Sequence, residues 1–190
     1  MENSIDEKPK KTRFFDYYII FYFVMACSAF IIPIDILDRS EICANFVHFM
    51  KQIFPNIEVF GSVSKIPQHT EFYVSFMWIW GLGLVVAYCF LIDLNRANKK
   101  VGALFPKGIL VVIFCFTIAF LGTKNYFFGN VALKPAEFGI KTFTLDFATK
   151  FSNFIWINFF QVFFFSVGCV LAITGVLWLI VGIKNSKNKN

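Results

Sequence analysis

Four apolar runs separated by polar segments dominate the pattern of the chain. The first, Tyr17–Ile34, covers about 18 residues. At about 1.5 Å per residue, a helix of that length nearly crosses the hydrocarbon of a bilayer. Pro33 and Asp35 mark its outer end. The second run extends from Phe72 to Ile92, with Trp78 and Trp80 toward one end and Asp93 closing it. The third, from Lys107 to Leu121, is preceded by Pro106, which suits the first turn of a helix because its missing donor costs little there. The fourth, Phe154 to Ile183, is long enough to cross at a tilt. The pattern predicts an all-α membrane protein, a bundle of four transmembrane helices forming one domain over residues 1–190.

The two longer connectors, 37–71 and 123–153, carry patterns of their own. From Ser40 to Phe54, apolar residues fall at 42, 43, 46, 47, 49, 50, 53 and 54, opposite polar Glu41, Asn45, His48 and Gln52. This spacing predicts an amphipathic helix with Ser40 as its N-cap. Its apolar face has two readings: packing on the outer ends of the spans or the lipid interface, or docking of an external ligand. Ile140–Phe147 alternates instead. Paired with Tyr126–Leu133 it predicts a short β-hairpin, with Pro135 and Gly139 in the turn region, although two strands alone are marginally stable.

Charge supplies the orientation. The segments 1–13, 94–107 and 184–190 hold 11 of the 18 basic residues, at about three times the density of the longer connectors. The positive-inside rule places them in the cytoplasm, and four spans then put both termini inside. The net charge of +6 therefore reads as a topology signal, and no direct nucleic-acid contact is expected. Arg96, Lys99 and Lys100 form the inner loop, and Lys184, Lys187 and Lys189 share its side. They set topology and touch anionic lipid, and in a sharper reading they also dock a cytoplasmic protein.

Composition agrees. Hydrophobic residues make up 57% of the chain and charged residues 16%, against about 25% in soluble domains. Phe alone supplies 28 residues, more apolar surface than one small core hides. No small-x-small cleavage site cleanly follows the basic start, so the first span is expected to stay as a helix. Of Cys27, Cys43, Cys89, Cys115 and Cys169, only Cys43 falls in an outer connector, which leaves no intramolecular disulfide framework.

Within the last run, Asn158, Gln161, Phe165, Gly168, Ala172, Gly175, Leu179 and Gly182 recur at alternating spacings of three and four. They form one helical stripe that gathers small and amide residues, which in lipid permit close backbone approach and interhelical hydrogen bonds. The stripe reads either as packing within one subunit or as a homo-oligomer interface. Searches for chemistry return no catalytic site, metal or cofactor. His48 and His69 are two ligands at most, too few to define a metal site. Ser64-Lys65 is an adjacency, with no His-Glu-x-x-His or Gly-x-Ser-x-Gly beside it. The spans lack a mid-depth ionisable group, which argues against ion-coupled transport. No enzymatic activity and no small-molecule substrate are expected.

The layout, with its basic start KKTRFFDYY, four spans, inner loop NRANKK, two outer loops and Lys/Asn tail, resembles the KwaA family, the membrane subunits of Kiwa bacterial anti-phage systems. The resemblance is architectural and spans the whole chain. It implies a non-enzymatic sensor and scaffold in the bacterial inner membrane, assembled as a homo-oligomer. It also implies a cytoplasmic DNA-binding partner of the KwaB type. The layout is similar, too, to four-span immunity proteins against pore-forming colicins. Entry-exclusion proteins and small channels share it as well.

Overall fold

The computed structural model describes residues 10–89, 108–130, 136–138, 141–143 and 148–187. Helix dominates among these residues. In chain order the elements are α1 (Lys10–Ala26), α2 (Ser28–Ile31), α3 (Ile36–Arg39), α4 (Glu41–Ile53), α5 (Asn56–Val63), α6 (Pro67–Cys89) and α7 (Gly108–Phe127). Strands β1 (Ala136–Phe138) and β2 (Lys141–Phe143) follow, then α8 (Lys150–Phe160), a π-helical segment (Gln161–Ser166) and α9 (Val167–Lys187).

Local chemistry explains several boundaries. Ser40 caps α4 as its sequence position predicts, its hydroxyl accepting from the Cys43 amide at 3.4 Å. Phe54 closes α4 and Pro55 opens α5, so the two helices form a hairpin against α6. Thr149 and Ser152 build a capping box at the start of α8: each side-chain oxygen accepts from the other's backbone amide at 3.1 Å. The first apolar run is broken at Cys27. There the Phe30 amide turns to the Cys27 carbonyl at 3.1 Å, a tighter bond than the α-helical one.

The apolar face expected on α4 divides in two. Val47, Met50 and Phe54 are buried against the chain, whereas Ile42, Phe49 and Ile53 are exposed. The hairpin in the second connector exists but is shifted. Ala136 pairs with Phe143 and Phe138 with Lys141, antiparallel. Tyr126 and Phe127, expected in the first strand, instead finish α7, and residues 131–135 and 144–147 lie outside the described residues. The reason is tertiary: both rings pack on Trp78, at 5.3 and 6.2 Å between centroids, so the apolar helix continues past Leu121 to reach them.

Trp78 is the centre of the core. It is fully buried, stacked on Phe54 at 4.0 Å and met edge-on by Phe165 at 4.6 Å. Aromatic pairs of this geometry add to area burial. Pro67–Tyr88 is long and apolar enough to cross a membrane; Asp16–Ile31 and Val167–Leu177 are shorter apolar helices. The last run is one long rod in three pieces, α8, the π-helical segment and α9. Its final piece packs along α7, where a Cβ on Gly175 would lie 2.5 Å from Phe116 Cε2. Gly175→Leu is expected to destabilise the fold by about 1–3 kcal/mol through overpacking. The same change at exposed Val176 should cost under about 0.5 kcal/mol. Unfolding in mixed micelles, followed by Trp fluorescence, checks both, and equal costs would refute this packing.

Candidate functional site

Polar side chains gather inside the bundle, between helices, in several hydrogen-bonded groups. The first begins with Pro33. In a continuous helix the Ala29 carbonyl would accept from the amide of residue 33, and proline has none. His69 of α6 supplies the missing donor: its Nε2 lies 2.8 Å from the Ala29 oxygen. That bond assigns the proton to Nε2, because a carbonyl only accepts. Nδ1 is then the acceptor for Asn153 Nδ2, at 3.1 Å. The same Asn153 nitrogen donates to Thr70 Oγ1 at 2.7 Å, and Thr70 exchanges a 2.7 Å bond with the Ser64 hydroxyl. His69, Thr70 and Asn153 are fully buried.

Other carbonyls freed by the break find donors in the same way. Tyr73 donates to the Ala26 oxygen at 2.8 Å. Lys150, opening α8, donates to the Phe30 oxygen at 3.2 Å and to the Ile32 oxygen. A helix end left without such partners would carry orphaned carbonyls. Here three side chains from α6 and α8 satisfy them. Just beyond, exposed Asp35 is held below the usual carboxylate range by its bond to Arg39, 2.6 Å away.

Asn158 is the hub one turn further along α8. Its Oδ1 accepts from Tyr22 at 3.1 Å, and its Nδ2 donates to the Tyr73 oxygen and the Phe154 carbonyl, both at 2.6 Å. One amide therefore ties α1, α6 and α8. Deeper along the rod, Gln161 accepts from the Tyr126 hydroxyl of α7. Gln161 lies against Gly81, where a Cβ would fall within 2.7 Å of its Cδ. Trp78 donates to Asn56 Oδ1 at 3.0 Å, joining α6 to α5. The half-buried Lys51–Glu71 ion pair, 2.7 Å long, joins α4 to α6.

The stripe read from the sequence thus turns inward. Asn158, Gln161, Phe165, Gly168 and Gly175 are buried within the chain and Ala172 is half-buried. Asn158 and Gln161 are engaged by helices of the same chain and Gly175 packs on Phe116, while Ala172 keeps part of its surface open. Gly182 lies in α9, with its surroundings outside the described residues. So do the side chains of Lys184 and Lys187, and Arg96, Lys99 and Lys100 fall outside altogether.

His48 and His69 stay apart: His48 is exposed on α4, within 3.5 Å of Gln52, whereas His69 is consumed by the network. Ser64 receives the Ile66 amide at 3.1 Å and pairs with Thr70, a turn-forming role. Among the described residues no cluster of three His, Cys, Asp or Glu side chains forms a metal site. The residues that the sequence reading missed are Tyr22, Tyr73, Tyr126, Asn56, Asn153 and Lys150. Asn153 gave no stripe signal, since it precedes Asn158 by five residues and so lies about 140° round the helix from it. Comparison with protein families, curated proteins and solved structures finds no match to this chain.

Proposed function

We propose that the chain is a multi-pass protein of the bacterial inner membrane, with four spans and both termini in the cytoplasm. In this reading it is a non-enzymatic sensor and scaffold subunit of an anti-phage complex, and it recruits a cytoplasmic DNA-binding partner of the KwaB type. The observation that supports the membrane reading is the inverted distribution of side chains. Tyr17, Ile20, Phe23, Val24, Ile31, Ile113, Phe120, Val176 and Ile180 are exposed, while Asn56, His69, Asn153, Asn158 and Gln161 are buried. Water would favour the reverse arrangement, whereas lipid favours apolar surfaces outside and hydrogen-bonded polar groups between helices.

The sensor reading draws on the network. The hairpin α4–α5 is joined to α6 by Asn56 and Lys51, and α6 is joined to the last rod by His69 and Tyr73. That rod runs to the tail bearing Lys184 and Lys187. Hydrogen bonds between successive helices, together with the packed side chains around them, give an external contact a physical route to the other end. Homo-oligomer assembly belongs to the same proposal. With the amide stripe occupied, it would use outward faces such as Val176 and Ile180.

Two experiments test the proposal. Reporter fusions at residue 100 and at the C-terminus should report cytoplasm, and one at residue 60 the outside; a periplasmic C-terminus would sink the four-span topology. Co-expression with the neighbouring gene should lower phage plating, and Lys99→Glu with Lys100→Glu should weaken capture of that gene's product while topology stays unchanged. Unaltered capture would leave those lysines only their topological role. Protection against a pore-forming toxin, with none against phage, would replace the defence reading by immunity.

A further inference from the structure

By sequence, α4 and α5 belong to an outer connector, yet their contacts run down the side of α6. Phe46 meets Phe72 at 6.0 Å between ring centroids, and Phe54 stacks on Trp78 at 4.0 Å. From there α5 climbs back along α6. Asn56 accepts from Trp78 at 3.0 Å, and a Cβ on Gly61 would lie 2.5 Å from Glu71 Oε1. The tip of the hairpin, Phe54–Asn56, is therefore level with Trp78. Eleven residues separate Trp78 from each end of α6, about 16 Å at 1.5 Å per residue. The stretch long and apolar enough to cross a membrane, Pro67–Tyr88, has the same centre.

The tip suits a dry setting. At membrane depth a backbone donor has no water to turn to. The Phe54 amide donates to the Met50 carbonyl at 2.9 Å, and the Ile57 amide to the Phe54 carbonyl at 3.2 Å. Pro55, at the turning point, has no amide to satisfy. Along the flank, Ile42, Phe49 and Ile53 recur at seven and four residues, one helical stripe, and all three are exposed. Ile79, exposed on α6 beside Trp78, extends the apolar surface at the level of the tip. Asn45, His48 and Gln52 are exposed too, about 90° round α4 from the apolar stripe, and Glu58 is exposed on α5.

We propose, resting on the membrane reading above, that the α4–α5 hairpin is re-entrant. It dips into the outer leaflet beside α6 and returns to the same side, with Ile42, Phe49 and Ile53 against acyl chains. Its polar stripe and Glu58 line a water-filled cleft open to the outer surface, because polar and ionisable groups at this depth need water or a partner.

The test is electron paramagnetic resonance on the full chain in phosphatidylcholine vesicles, with the native cysteines kept. One nitroxide at a time is carried on p-acetylphenylalanine in place of Ile42, Phe49, Gln52, Ile53, Ile79 or Val86. Oxygen collects in hydrocarbon and the nickel complex NiEDDA in water, so the ratio of their collision rates reports depth. That ratio should rise severalfold from Ile42 through Phe49 to Ile53, and at Ile53 it should equal the value at Ile79. Gln52, next to Ile53 but on the polar stripe, should give a ratio severalfold lower, and a value matching Ile53 would overturn the cleft. Equal ratios at Ile42, Phe49 and Ile53 would mean a hairpin lying flat on the membrane. NiEDDA contact at all three, with exposed Val86 of α6 shielded, would mean one standing in water. Either result overturns the re-entrant hairpin and leaves the membrane reading intact. NiEDDA contact at Val86 as well would overturn the membrane reading and, with it, the hairpin.

Discussion

Asn158→Leu is expected to lower the stability of the folded chain by about 2–4 kcal/mol. Asn158 makes three hydrogen bonds, two buried ones to Tyr22 and Tyr73 and a partly buried one to the Phe154 carbonyl. Each contributes about 0.5–1.5 kcal/mol net. The larger part comes from what the substitution leaves behind. Tyr73 still donates to Ala26, whereas the Tyr22 hydroxyl, 1% exposed, loses the acceptor it had. An orphaned buried hydroxyl costs about 1–3 kcal/mol. Tyr22→Phe leaves the Asn158 Oδ1 without that donor and should cost about 1–3 kcal/mol. The double variant, with no hydroxyl left to orphan, should be more stable than the sum of the two single changes. The measurement is unfolding in mixed micelles followed by Trp fluorescence. A cost for Asn158→Leu within about 0.5 kcal/mol of zero would mean that the amide does not hold the three helices together.

Gly81→Ala is expected to cost about 2–3 kcal/mol, a large effect for one methyl group on a helix. Alanine would ordinarily stabilise a helix relative to glycine by about 1 kcal/mol. Here the new Cβ overlaps the Gln161 side chain, with Cδ 2.7 Å and Cγ 2.9 Å away. A flexible side chain in open space would move aside. Gln161 is fully buried and bound to the Tyr126 hydroxyl, so its retreat breaks that bond or shifts the rod. Removing the obstacle should therefore remove the penalty. In a Gln161→Ala background, Gly81→Ala should be neutral or mildly stabilising, a coupling of at least about 2 kcal/mol. Equal costs in both backgrounds would separate the two residues and redraw the contact between α6 and the π segment.

Both predictions turn on residues whose types were plain in the sequence and whose partners were not. Asn158 and Gln161 stood out as the amides of the last apolar run, because amides are rare in such runs. Their helical stripe was equally legible, since a three–four spacing depends only on the pitch of one helix. Which body meets that stripe is a separate matter. The same small-and-amide face suits a neighbouring subunit or a neighbouring helix, and the local pattern is identical in the two cases. Tyr22, Tyr73 and Tyr126 gave no signal at all, because a tyrosine in an apolar run serves as well for packing as for hydrogen bonding.

What the sequence determined by itself was short-range: the apolar runs and the helices they form, the amphipathic α4 with its Ser40 cap, and the end of the first run at Pro33. Each follows from periodicity, a cap or a missing amide within a few residues, where chain connectivity fixes the geometry in advance. Only the tertiary structure decided that His69 reaches the Ala29 carbonyl, 40 residues away, in place of the amide that Pro33 lacks, that Asn158 meets Tyr22 across 136 residues, and that Tyr126 ends a helix instead of starting a strand. Those pairings depend on how each helix is rotated and how far it slides against its neighbours. Rotation and register are settled by the joint packing of all the helices around Trp78, to which no local stretch of sequence has access.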